Sequence, residues 1–299
     1  MTQTRTAFIA IVGCPNVGKS SILNRLLGQK VAVVSPKPQT TRTKIMGVLT
    51  EDEVQLVFTD TPGFHRPRTK LGEKMIKAVS DSISGVDACL FVVGPSGELR
   101  DAEKDLLKKF KDEKMPVILA INKIDSVKQK ELLIERMAQF SALYDFEAIV
   151  PCSALKGDGF GDLKDELFKQ AQPSPHFFPD DTLTDQPERV LTAEIIREKL
   201  LNLLDDEVPH GVAVCIERMH EREDSNITDI DATIYCERES HKGIIIGKKG
   251  EMLKKVSTRA REDMERFFMC KINLHCWVKV KEGWRNREGL IHNFGLDNE

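Results

Sequence analysis

The chain has 299 residues, more than one typical domain and enough for about two. With 40% hydrophobic and 30% charged residues it can bury real cores, which excludes a disordered chain. The net charge of −3 conceals an asymmetry. Residues 1–50 carry seven basic side chains and no acidic one, residues 172–240 six basic against 17 acidic (net −11), and residues 241–287 13 basic against five acidic (net +8). A basic block within a folded, mildly acidic chain points to a polyanionic partner at that end. No run nears the roughly 18 apolar residues of a spanning helix. Residues 1–6 lead straight into an apolar run, so no signal peptide and a cytoplasmic location are expected. The cysteines at 14, 89, 152, 215, 236, 270 and 276 show no C-x-x-C pair, so neither a disulfide framework nor a zinc site is expected. Cys14 stands apart, as a candidate reactive thiol inside a glycine loop.

In chain order, residues 8–12 read as a buried strand, and 21–27 have helical spacing with Gly28 as a stop. Between them Gly13-Cys14-Pro15-Asn16-Val17-Gly18-Lys19-Ser20 fits the phosphate-binding pattern G-x-x-x-x-G-K-[ST]. Its N–H groups would wrap a β-phosphate at a helix N-terminus, with Ser21 following on the helix. Lys19 would reach the β- and γ-phosphates, and Ser20 would ligate Mg²⁺. Further strands are expected at 44–49, 54–59, 88–93, 117–121 and 148–150, with helices at 69–84, 101–113, 128–143 and 163–170. This alternation is that of a doubly wound α/β domain. The strands at 44–49 and 54–59 are too close for a crossover helix, so an antiparallel edge hairpin is expected.

Four stretches follow the loop in the order a GTPase requires. Residues 35–42, Ser-Pro-Lys-Pro-Gln-Thr-Thr-Arg, form a loop without acidic residues. A threonine there, Thr41 or its neighbour Thr40, could complete the Mg²⁺ shell only when a γ-phosphate is present. Asp60-Thr61-Pro62-Gly63 ends a strand: Asp60 would hold Mg²⁺ through water and the Gly63 N–H would sense the γ-phosphate. Asn122-Lys123-Ile124-Asp125 supplies a carboxylate that accepts two hydrogen bonds from guanine, a donor pair adenine lacks. Ser153-Ala154 would offer the Ala154 N–H to guanine O6. The nucleotide is therefore expected to be GTP, with GDP as product.

With these motifs the first domain resembles the TrmE–Era–EngA branch of P-loop GTPases. Where Ras-like GTPases carry a water-orienting glutamine, this chain carries Phe64, which cannot polarise water. Catalysis would then rest on Lys19, Thr41, the Gly63 N–H and an extra cation; the resemblance implies that Asn16 helps bind K⁺.

Residues 172–187 contain Pro173, Pro175, Pro179 and Pro187 and read as a stiffened linker. Beyond it a helix (190–204), two strands (212–219, 227–238), a helix pair and an alternating strand (271–281) are expected, followed by a short helix from about 285. Ile246-Gly247-Lys248-Lys249-Gly250 fits a GXXG loop that clamps about four single-stranded nucleotides. Lys254, Lys255 and Arg259 extend its basic surface, and Trp277 and Trp284 are candidates either for base stacking or for partial packing. The order helix–strand–strand–helix–helix–strand resembles a type II KH domain. The expected architecture is an α/β P-loop GTPase domain (1–172), a linker (173–189) and an α+β type II KH domain with a C-terminal helix (190–299). The resemblance implies a monomer that binds small-subunit rRNA at its 3′ end, serves 30S subunit maturation and associates loosely with the inner membrane. The alternative is a GTPase partner in RNA modification or membrane-linked signalling.

Overall fold

The computed structural model describes residues 3–37, 40–64, 69–205 and 208–296. Pro38 and Gln39 of the expected switch loop lie outside the described residues, as do positions 1, 2 and 297–299 of the expected domain ranges. The chain divides into two compact units: Met1–Ala32, Thr41–Arg68 and Gly72–Asp185 form one, and Val33–Thr40, Thr69–Leu71 and Gln186–Glu299 the other.

The first unit holds β1 (Arg5–Val12), α1 (Lys19–Leu27), β2 (Ile45–Glu51), β3 (Val54–Asp60), α2 (Lys70–Ile83), β4 (Ala88–Val93), α3 (Asp101–Glu113), β5 (Val117–Ile121), α4 (Lys130–Ser141), β6 (Ala148–Pro151), α5 (Phe160–Lys169) and β7 (Gln172–Pro173). The sheet order is β2-β3-β1-β4-β5-β6, with β7 paired to the start of β1. β1 pairs in parallel with β3 and β4, while β2 and β3 form the expected antiparallel hairpin. Because side chains alternate along a strand, β1 serves two cores. Ala7, Ile9 and Ile11 pack with Ile22 and Leu23 of α1 and Leu163 and Leu167 of α5. Ala10 and Val12 pack on the other side, with Val79 of α2, Leu106 and Phe110 of α3 and Phe140 of α4. Strands covered on both faces read as continuous apolar runs, which is why β1, β4 and β5 were legible at once. The chain leaves β1 for β3 on one side and then crosses to β4 on the other. The C-terminal end of β1 is therefore a topological switch point, where ligand crevices form.

The proline-rich stretch after α5 is not a free spacer. The Ser174 N–H donates to Thr4 O (3.1 Å) and the Thr6 hydroxyl to Pro175 O (3.0 Å). Gln55 of β3, fully buried, accepts from the Phe177 and Phe178 N–H groups (2.8 and 3.0 Å) and donates to Phe178 O (2.9 Å). The Phe177 ring meets Phe8 edge-on at 5.1 Å. Farther on, Leu183 O accepts from the Val48 N–H (2.9 Å) and the Thr184 hydroxyl donates to Met46 O (2.6 Å), which covers part of the β2 edge. Neither these long-range bonds nor two-residue β7 leaves a periodic signal.

The second unit contains α6 (Glu188–Leu203), β8 (Ala213–Glu221), β9 (Ile227–Cys236), α7 (Glu239–Ile246), α8 (Glu251–Phe268), β10 (Lys271–Val280) and α9 (Glu288–Asn293). Its sheet order is β10-β9-β8, with β10 parallel and β8 antiparallel to β9. Val256, Ala260 and Met264, four residues apart on α8, face Ile230, Ala232 and Ile234 of β9 and Ile196 and Leu200 of α6 in one core. After β10 the chain closes over this unit. Trp284 is fully buried, donates its indole N–H to Gly211 O (2.9 Å) and meets Phe294 at 5.4 Å. Trp284 is thus a core residue: of the two readings the sequence left open for it, packing holds and base stacking does not.

Candidate functional site

The glycine loop leaves β1 and enters α1 through backbone angles that side chains resist. Gly13 and Gly18 have φ of 150° and 101°, and Asn16 has φ 62°. A Cβ on Gly18 would collide with the Asn122 amide, so this glycine lets the loop lie against the base-recognition segment. The Asn122 Nδ2–H donates to Val17 O (2.9 Å), its Oδ1 accepts from the Ala154 N–H (3.0 Å), and the Lys123 ammonium donates to Asn16 O (2.6 Å). Asn122 therefore ties three loops from three strand ends together. The Ser153 hydroxyl donates to Asp125 Oδ1 (2.5 Å) and accepts from the Lys156 N–H (3.0 Å), so a second hydroxyl-centred contact aims the exposed carboxylate.

Lys19 is buried and donates to Gly13 O and Cys14 O, both at 3.2 Å. Burial pulls its pKa down, opposed by the charge of Asp60. Asp60 is fully buried, and desolvation raises its pKa to about 6 despite Lys19 and the neighbouring hydroxyls. The Ser20 hydroxyl donates to Asp60 Oδ2 (2.6 Å) and lies 3.0 Å from the Thr41 hydroxyl. Thr40 instead donates its hydroxyl to Lys37 O (2.6 Å). Of the two candidate threonines, it is Thr41 that meets Ser20 and Asp60. Asp60 Oδ1 is buried without a hydrogen-bond partner among the described residues. Three oxygen side chains with one orphaned carboxylate oxygen suit a hard divalent cation such as Mg²⁺.

Asp60-Thr61-Pro62-Gly63 docks on this loop. The Thr61 hydroxyl donates to Ile11 O (2.9 Å), and the Phe64 N–H donates to Gly13 O (3.1 Å). A Cβ on Gly63 would lie 2.7–2.8 Å from Pro15 atoms, so only glycine allows this approach. Phe64 packs against the core that contains Ala10 and Val12. Ser21, half-buried, follows on α1. Cys14 is only 2% exposed, and burial leads the causes that push its thiol pKa up, so the expectation of a reactive thiol is corrected.

Two supports escaped the sequence reading. Arg136, 3% exposed, pairs with buried Glu103 at 3.2 Å and donates to Gly97 O (2.9 Å), anchoring the loop that follows β4. Arg25 of α1 donates to Lys156 O (3.2 Å), linking the phosphate helix to the Ser153-Ala154 loop. A lone arginine on a helix leaves no signal for either role.

In the second unit, α7 ends at Gly247 (φ 73°), Lys249 has φ 51°, and Gly250 (φ 80°) caps α8. Lys248, Lys249, Lys254, Lys255 and Arg259 are exposed around this turn, with Ile246 half-buried behind it. A Cβ on Gly247 would sit 2.7 Å from Met252 Cβ. Ile244, half exposed, adds an apolar wall beside the basic loop that charge reasoning overlooked.

A family model described as a 50S ribosome-binding GTPase matches residues 8–123, and a KH-domain model matches residues 207–285. GTPase Era of Clostridioides difficile is 48% identical over 295 residues, 99% of each chain. GTPase Era of Ruminiclostridium cellulolyticum is 48% identical over 291 residues, 97% of each chain. Among solved structures, Aquifex aeolicus Era bound to GDP and aluminium fluoride is 37% identical, with a TM-score of 0.94 over 98% of this chain and 100% of that one. An Era complex with MgGDPNP and nucleotides 1506–1542 of 16S rRNA is 38% identical, with a TM-score of 0.92 over 98% and 99% of the two chains. With a GTPase model and a KH model matched in sequence along one chain, and relatives of matching length almost half identical to it, the chain belongs to the Era family of GTPases that carry a KH domain.

Proposed function

We propose that this protein is a GTP-driven switch that binds small-subunit rRNA near its 3′ end and acts in 30S subunit assembly. The observation that carries the switch is the meeting of Ser20, Thr41 and Asp60 beside buried Lys19. In this reading residues 1–172 form the GTPase domain, 173–189 the connection and 190–299 the RNA-binding domain. Gly13–Ser20 N–H groups cradle the phosphates, Lys19 neutralises them, and Asp125 with the Ala154 N–H reads guanine. Ser20, Thr41 and Asp60 would hold Mg²⁺, which when bound offsets charge on the β- and γ-phosphates. Thr41 and the Gly63 N–H read the γ-phosphate, and Phe64, packed against the core, cannot activate water. Turnover is correspondingly slow. Asn16, at the turn of the loop, would ligate K⁺; equal hydrolysis rates in KCl and NaCl refute that assignment. The GKKG turn grips the RNA backbone, and the Era–rRNA complex supports the 3′ end of 16S rRNA as its target. The protein works as a cytoplasmic monomer with loose inner-membrane association; flotation with inner-membrane vesicles and sedimentation test both properties.

Titrating an rRNA 3′-end oligonucleotide with GDP and then with a non-hydrolysable GTP analogue tests the switch. Tighter binding with the analogue is expected, and equal affinity overturns it. Crosslinking that recovers no small-subunit rRNA 3′ end overturns the target.

A further inference from the structure

The chain has two tryptophans, and the structure separates their roles: Trp284 is fully buried, whereas Trp277 is 49% exposed. Trp277 lies on β10, the edge strand of a sheet ordered β10-β9-β8 among the described residues. Strand alternation puts Lys271, His275 and Lys279, all exposed, on its face, while Ile272, Leu274, Cys276 and Val278 turn to the helices. The His275 ring lies 6.1 Å from the indole, tilted 39°. The acidic residues of adjacent β9 are already engaged. Asp229 takes two 2.7 Å bonds from Arg222 and one from Asn273, and Asp231 sits 3.4 Å from His275. Lys279 and Lys281 are exposed without an ion pair among the described residues. Lys271, at the other end of the row, pairs with Glu265 at 3.9 Å, so the outer β10 row is an indole and an imidazole followed by the two ammonium groups of Lys279 and Lys281. Stacking platforms with nearby cations are how single-stranded nucleic acid is held without regard to sequence.

We propose that this β10 face is a second RNA contact, in which Trp277 stacks on a base of the strand gripped at Gly247–Gly250 and Lys279 and Lys281 meet its phosphates. The proposal rests on the RNA-binding reading above and extends it. A GXXG turn holds about four nucleotides, so the β10 face engages only longer strands. It adds affinity without choosing a base, leaving any base preference to the contacts at the Gly247–Gly250 turn.

Full-length protein is titrated with two single-stranded RNAs from the small-subunit rRNA 3′ end, of about four and about ten nucleotides. With Trp284 buried, emission that responds to added acrylamide comes from Trp277. The longer RNA is expected to quench that emission and shield it from acrylamide. Trp277→Ala is expected to weaken the longer RNA at least roughly fivefold while sparing the shorter one, and Trp277→Phe to retain most of the affinity. Binding of the longer RNA with unchanged emission and unchanged Trp277→Ala affinity overturns the β10 proposal alone. Failure of both RNAs to bind wild-type protein, or binding indifferent to Gly247→Asp, overturns the RNA-binding reading itself.

Discussion

Replacing Asp60 by asparagine tests how the nucleotide site stores electrostatic strain. The carboxyl is fully buried, with its pKa raised from 3.8 to about 6. A folded pKa above the unfolded one means that the charged form is disfavoured by folding. The penalty is absent below about pH 4, grows through the interval to about 6 and is complete above it. Two pKa units at 1.36 kcal/mol each make it about 3 kcal/mol at pH 8. Asparagine removes the charge, retains an oxygen that accepts from Ser20, and deprives Lys19 of a counter-charge, so the net gain is about 1–3 kcal/mol. Urea unfolding of nucleotide-free protein in EDTA should show Asp60→Asn more stable than wild type. The gap should be about 1 kcal/mol larger at pH 8 than at pH 5. Adding Mg²⁺ and GDP should reverse the order, because only the carboxylate supports the cation. A nucleotide-free Asp60→Asn that is equal or less stable at pH 8 would show that the buried carboxylate is not strained, and the reasoning would fail.

Asp125→Asn exchanges one of two guanine-facing acceptors for a donor, so it should weaken GDP roughly tenfold or more and shift preference toward xanthosine nucleotides in competition binding. Arg136→Met strands the Glu103 carboxylate in the core and should cost about 3–5 kcal/mol in denaturant unfolding, with much of it restored when Glu103→Gln is added. Gln55→Ala leaves the Phe177 and Phe178 N–H groups and Phe178 O without their partner and should cost about 2–4 kcal/mol. Proteolysis within 174–184 should then begin at lower protease concentration than in wild type.

The nucleotide site was legible because its chemistry is local. The Gly13–Ser20 loop, Asp60–Gly63, Asn122–Asp125 and Ser153-Ala154 are short contiguous stretches at strand ends, and buried parallel strands announce themselves as apolar runs. The GKKG turn was legible for the same reason. By itself, then, the sequence determined the order of elements, the strand-end motifs suited to a guanine nucleotide and the basic glycine turn, since backbone angles, charge and hydrogen-bond capacity travel with residue type. Tertiary structure alone decided what depends on distant partners. It set Thr41 rather than Thr40 beside Ser20 and Asp60, and left Cys14 only 2% exposed. It laced 174–184 to Gln55 and the β2 edge, and separated the two tryptophans that the sequence had offered for the same roles. Trp284 entered the core because Gly211, more than 70 positions earlier, offers its carbonyl there, while Trp277 stayed on the open face of an edge strand.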